Sequence, residues 1–374
     1  MYRILKSLLI FAIVTCHTYG ISSLPAARAE SSEKEQITLM LQNLFENRAK
    51  LLLDQNKELI KDYYLPSDRY SRHAFQHELD RAEYLQTWAH HRRMKFVNAE
   101  CSIRIIRLNV TGDTAKVSLA QSLKVSYEYK GKYPGQHDFG IGTRHAIRLK
   151  KVNQSWLLER EWYSDPLEEN PKLIQQCDTD FIPGKAPVSV RAHTKYNRLR
   201  AVEYANKYAG LAWGAGNEHR YNRKYLDYTS KGGDCTNFSS QVIGDKEEGG
   251  GLRMWRDWRY FYGNGGSQAW VRTDSFKSFL VHSGYGTVVA HGDFTKIVKF
   301  SNKLQQQGTE VYKFQPGDLI AYQLNGDIDH FSVIVGFDQG GYPLVNSHTA
   351  DRYRVPFDLG WDKYTKYQVI HIRD

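Results

Sequence analysis

A chain of 374 residues has the length of about two domains. With 41% hydrophobic, 13% aromatic and 25% charged residues, disorder over most of that length is excluded. The formal net charge of +10 is scattered along the chain. It lacks the basic stripe and recognisable module of nucleic-acid binding, so nucleic acid is not an expected partner.

The first element is an apolar run from Leu5 to Thr15, too short to span a bilayer. Arg3 and Lys6 precede it, and Ala27-Arg28-Ala29 gives an A-x-A cleavage pattern, so residues 1–29 read as a signal peptide. The mature protein is then secreted or held at the cell envelope, with no transmembrane segment left after cleavage. Cleavage removes three cations and no acid, so +10 falls to +7. That excess suits work beside an anionic envelope surface. Cys101, Cys177 and Cys235 remain. An odd number leaves at least one thiol for chemistry, and Cys101 with Cys177 is the candidate pair.

Apolar positions at helical spacing (Ile37, Leu41, Leu44, Phe45, Leu51, Leu52) predict a helix over 33–61, and a second helix is expected from Tyr70 to Arg93. Alternation then predicts strands around 103–105, 117–119 and 123–129, with a hairpin turn in Asn109–Asp113. Ala146–Val152 and Trp156–Tyr163 form a last pair. Residues 30–163 thus read as a small α+β domain, helices plus a bent antiparallel sheet. The proline-rich stretch 164–195 reads as a linker, and 196–374 as a second domain. There, helices come first: one near Leu199–Ala205, one from Cys235 with Asp234 as its N-cap, and one capped by Asp274. Strands follow at 318–322, 330–336, 344–348 and 367–372, again α+β.

Gly232-Gly233-Asp234-Cys235 puts a cysteine at a helix N-terminus behind two glycines. Unpaired N–H groups and the positive end of the helix dipole favour a thiolate there, and the same N–H groups can hold an oxyanion. A buried structural cysteine explains the local pattern equally well. His330 changes the balance, because it opens a strand after the turn Asn325-Gly326-Asp327 and can serve as the base a nucleophilic cysteine needs. Asn346 and His348, two apart on the next strand, are the candidates to orient it. Asp234 and Trp270 are the candidates for oxyanion or substrate contacts. Trp255, Trp258, Tyr260, Tyr262 and Trp270 suit a groove or a core equally. Zinc would accept one thiolate and two imidazoles, but no CxxC or HExxH spacing is present, and no cofactor motif occurs.

Asp234–Gln241, Trp270 with Asp274-Ser275-Phe276, Gln315–Ile320, Asp329–Val335 and Val345–Arg352 together resemble the bacterial putative amidase domain. That family is similar to the papain-like NlpC and CHAP hydrolases of peptidoglycan peptides. The resemblance spans about 196–374 and implies a papain-like fold, a helix-borne cysteine on an antiparallel sheet. It implies Cys235 as nucleophile, His330 as base and His348 as third residue, with Asn346 the alternative. The implied function is cysteine-dependent hydrolysis of an amide, a cell-wall peptide being the expected substrate. A non-catalytic envelope-binding module and an amide acyltransferase are the alternatives. The N-terminal part resembles a nuclear-transport-factor-like cone, which implies no activity.

Overall fold

The computed structural model describes residues 23–131, 133, 135–167, 170–181, 195–307 and 315–373. Residues 1–22, most of the leader read from the sequence, lie outside these. No described helix is long and apolar enough to cross a membrane.

Helix α1 (Ser23–Asp54) buries Ile37, Leu41, Leu44 and Phe45 along one stripe. It stops seven residues earlier than its apolar spacing suggests. Gln55 adopts a left-handed φ of 54°, and the Asn56 side chain caps the short turn Lys57–Leu59 instead. Helix α2 (Arg69–His91) is capped by Asp68, which accepts from the N–H groups of Tyr70 and Ser71. Four antiparallel strands follow: β1 (Met94–Thr111), β2 (Thr114–Tyr129), β3 (Gln136–Val152) and β4 (Ser155–Tyr163). Two-residue turns join β1 to β2 and β3 to β4. In the second, Asn153 and Gln154 both have positive φ, as tight hairpins with the right twist require.

The C-terminal half begins with α3 (Arg198–Lys207) and α4 (Cys235–Gly244). A minimal hairpin of β5 (Tyr260–Phe261) and β6 (Gly265–Gly266) precedes α5 (Gln268–Val271) and α6 (Thr273–His282). Then come β7 (Gly286–Gly292), α7 (Phe294–Gln307), β8 (Leu319–Leu324), β9 (Asp327–Phe337), β10 (Pro343–Ser347), β11 (Asp351–Pro356) and β12 (Lys366–Ile372). The sequence reading anticipated neither β7 nor α7. The Asp293 carboxylate caps α7 by accepting from Lys296 N–H at 2.9 Å.

All strands but β5 and β6 form one sheet, in the order β1-β2-β3-β11-β10-β9-β8-β12-β7, with β4 also paired to β3. The two halves read from the sequence therefore meet through a shared ladder, with Arg352 of β11 opposite Ile141 of β3. One face of the C-terminal strands packs on α3, α4 and α6 through Phe238, Val242, Phe276, Phe331 and Val333. The other face shares a single core with α1, α2 and the N-terminal strands. Buried Asp358 links the halves again, accepting from Trp88 Nε1 at 3.1 Å and Arg92 NH2 at 2.7 Å. The segment read as a linker also joins this core. Leu167, Ile174 and Phe181 are buried in it, so its apolar residues outweigh the prolines around them.

Candidate active site

Cys235 is the first residue of α4, and the helix packs its apolar side against β9 through Phe238 and Val242. Its sulfur meets the backbone N–H of Phe331 and lies 3.8 Å from Thr236 Oγ1. Only 7% of the residue is exposed. Burial raises the thiol pKa and the Asp234 carboxylate adds to that, while the Phe331 and Thr236 N–H groups act against it. Desolvation thus outweighs the helix N-terminus, and the thiol form is favoured.

His330, one residue before Phe331, is 5% exposed. Alternation on β9 places its ring with Tyr322 and Trp361, each at a centroid distance of 5.5 Å. Burial and the nearby Arg352 guanidinium lower its pKa to about 3, so the imidazole is neutral. Its Nε2 is buried with no hydrogen-bond partner among the described residues. Arg352 donates to the backbone oxygens of Leu359 and Pro166; its own pKa is lowered by burial.

Neither candidate for a third residue contacts His330. His348 is fully buried, with Nδ1 2.6 Å from Asp234 Oδ2 and Nε2 2.6 Å from the Tyr208 carbonyl oxygen. Both partners are oxygens that accept hydrogen bonds. The ring is stacked between Tyr221 at 3.7 Å and Phe238 at 3.9 Å. Asn346 donates to Ala205 O and Asn206 Oδ1 and accepts from Arg354 N–H. Each polar atom of the two candidates is therefore engaged away from His330.

The expected substrate contacts are placed similarly. Asp234 does not cap α4 with its side chain. Its Oδ1 accepts from Tyr228 N–H and Asn237 Nδ2, its Oδ2 faces His348, and its own N–H goes to Thr349 Oγ1 at 2.6 Å. Trp270 is fully buried, stacks on Trp258 at 4.8 Å and donates from Nε1 to Asn237 Oδ1. It holds the first turn of α4 from within the core. Asp274 lies inside α6, and its carboxylate accepts from Ile328 N–H in β9. Trp361, Tyr208 and Tyr221 escaped the sequence reading. They act through a ring face, a backbone oxygen and a stack, none of which has a motif.

Cys101, Cys177 and Cys235 are all free thiols. Cys101 accepts from Gln121 Nε2 at 3.2 Å, and the Cys177 thiol donates to Thr179 O. Among the described residues, no three His, Cys, Asp or Glu side chains are gathered so as to hold a metal ion.

Residues 195–371 match the family described as "Putative amidase domain". The match points to amide hydrolysis at a general level, and it takes in Cys235, His330 and His348. A curated relative, "Uncharacterized protein YhbB" of Bacillus subtilis (strain 168), is 30% identical over 162 residues. The aligned part is 42% of this chain and 42% of the relative, so the chain spans under half the length of that relative. Two solved structures are similar to about a third of the chain each. The intermembrane space region of the chloroplast protein ARC6 has a TM-score of 0.26 at 9% identity, over 36% of this chain and 95% of its own. A putative scytalone dehydratase from Novosphingobium aromaticivorans DSM 12444 has a TM-score of 0.25 at 15% identity, over 37% and 86%.

Proposed function

We propose that the amidase-like segment is a cysteine-dependent amide hydrolase of papain-like, NlpC/CHAP type, exported and acting on cell-wall peptides. The observation that carries this reading is the meeting of two distant elements. Cys235 opens α4, and α4 packs its apolar side on β9, the strand that carries His330. Export rests on the leader pattern in residues 1–29, and the wall substrate on export together with the family's similarity to wall hydrolases.

The resting pair is a neutral thiol and a neutral imidazole. As the sulfur attacks the amide carbonyl, its proton passes to His330, and the carbonyl oxygen becomes an oxyanion. The Cys235 N–H is the donor for that oxyanion, because Asp234 N–H serves Thr349 and Gly233 N–H serves the Tyr228 carbonyl. His330 then protonates the leaving nitrogen as the C–N bond breaks, giving a thioester. Water, deprotonated by His330, attacks the thioester and releases the acid. The rings of Tyr322 and Trp361 hold the imidazole where a hydrogen-bonded third residue would otherwise do so. His348 instead fixes the Asp234 carboxylate, and so the turn that presents Cys235.

The test is release of free amino groups from peptidoglycan-derived peptides by the wild-type chain and by Cys235→Ala. Release by wild type alone supports the reading. Equal release by the variant overturns it. No release by either, with retained affinity for wall material, identifies a binding module instead.

A further inference from the structure

A basic groove of about 330 Å³ lies where the N-terminal sheet meets the loop after α3. Its floor is a cross-strand row: Arg104 on β1 faces Ala120 on β2, which faces Arg144 on β3. The small alanine leaves a trough between two guanidiniums, and no acid stands between them. Its wall is the loop bearing His219, Arg220 and Arg223. That loop is seated by Gly142 of β3, where any Cβ would collide with Leu211 at 2.5 Å. Asp227 is the one acidic side chain in the lining.

Two features mark the groove as more than a solvated basic surface. Arg104 and Arg223 have no ion-pair or hydrogen-bond partner among the described residues, whereas Arg144 is held against buried Asp351 at 3.2 Å and over the Tyr221 ring at 5.4 Å. Three consecutive non-glycine residues, Asn217, Glu218 and His219, also have φ of 48°, 53° and 57°. Strained backbone of this kind persists where a loop is held in one shape, and it concentrates at ligand clamps. Planar guanidiniums converging from two sides suit carboxylates.

From this convergence we infer that the groove binds a peptide carrying two or more carboxylates. Tyr225 and Asp227, on the chain segment that leads through Asp234 to Cys235, also line the groove. Binding in the groove does not depend on the hydrolase reading.

The experiment uses the full chain carrying Cys235→Ala, so binding is read without hydrolysis. The probes are a fluorescein-labelled Glu-Glu-Glu-Gly peptide and its Gln-Gln-Gln-Gly counterpart, followed by anisotropy at low and at physiological salt. The Glu peptide is expected to bind at least about tenfold more tightly. Arg104→Gln with Arg223→Gln is expected to remove that preference. Lys299→Gln with Lys303→Gln, which lowers the net charge equally on α7, should leave it intact. Equal binding of the two peptides overturns the inference, as does an equal loss in the α7 control. Binding of inorganic pyrophosphate, read by calorimetry, without any Glu-peptide binding would reassign the groove to phosphate and equally overturn it. If the Glu peptide binds while wild type releases no amines from any wall peptide, the hydrolase reading fails and the groove stands.

Discussion

His348 Nδ1 lies 2.6 Å from Asp234 Oδ2, wholly out of solvent, one residue from the candidate nucleophile. The pair joins the end of β10 to the start of α4. Removing one partner of this buried hydrogen bond leaves the other unsatisfied, at a cost of about 1–3 kcal/mol. His348→Gln is therefore expected to lower the unfolding free energy by about that amount, measured in denaturant. A group acting only in catalysis would lose turnover with unchanged stability, and that result would remove the clamp role given to His348.

Burial of neutral His330 makes stability depend on pH. Its folded pKa is about 3 against an unfolded value of 6.5, so below pH 6.5 the unfolded chain binds more protons and stability falls as pH falls. The loss begins near pH 6.5 and is complete near pH 3. At pH 5 this one group costs about 2 kcal/mol. His330→Asn should accordingly lose less stability than wild type between pH 7 and pH 5. Parallel pH profiles for the two proteins would show that His330 is not held neutral.

The raised pKa of Cys235 gives a prediction opposite to the one its helix position suggests. Its alkylation by iodoacetamide should have an inflection above the free-thiol value of about 8.5, because burial dominates. Arg352→Met, which removes the cation beside His330, should raise the imidazole pKa. An inflection well below 8.5 in wild type would mean a resting thiolate–imidazolium pair.

Much of this was legible in the chain. The glycine-flanked Cys235 stood out because local spacing sets a helix start; His330 was expected to open its strand, whereas β9 begins at Asp327 and carries it as the fourth residue. Ile37, Leu41, Leu44 and Phe45 likewise announced α1 through their period. Partner choice was not legible. Nothing local tells that His348 faces Asp234 and the Tyr208 carbonyl, or that Asn346 is spent on α3 and Arg354. The joining of the two halves was also hidden. β11 pairs with β3 through Asp351, Arg352 and Tyr353, a contact between residues some 210 apart in sequence. Trp270 shows the same limit: an aromatic that reads equally as groove or core proves to be core.

That placement of Trp270 is itself testable. Trp270→Phe keeps a ring against Trp258 but removes the Nε1–H donated to Asn237 at 2.9 Å. The expected cost is about 1–3 kcal/mol of stability, since Asn237 Oδ1 is left buried and unpaired. KM for a hydrolysed wall peptide should not move. A raised KM with unchanged stability would return Trp270 to the substrate.

The proposed covalent catalysis by Cys235 is tested most directly by the mass of the protein caught in turnover. Wild-type protein acid-quenched during reaction with peptidoglycan-derived peptides should carry an acyl group that peptide mapping places on Cys235 and hydroxylamine removes. Sustained amine release with Cys235 unmodified at every quench time, and undiminished in Cys235→Ala, would contradict the account.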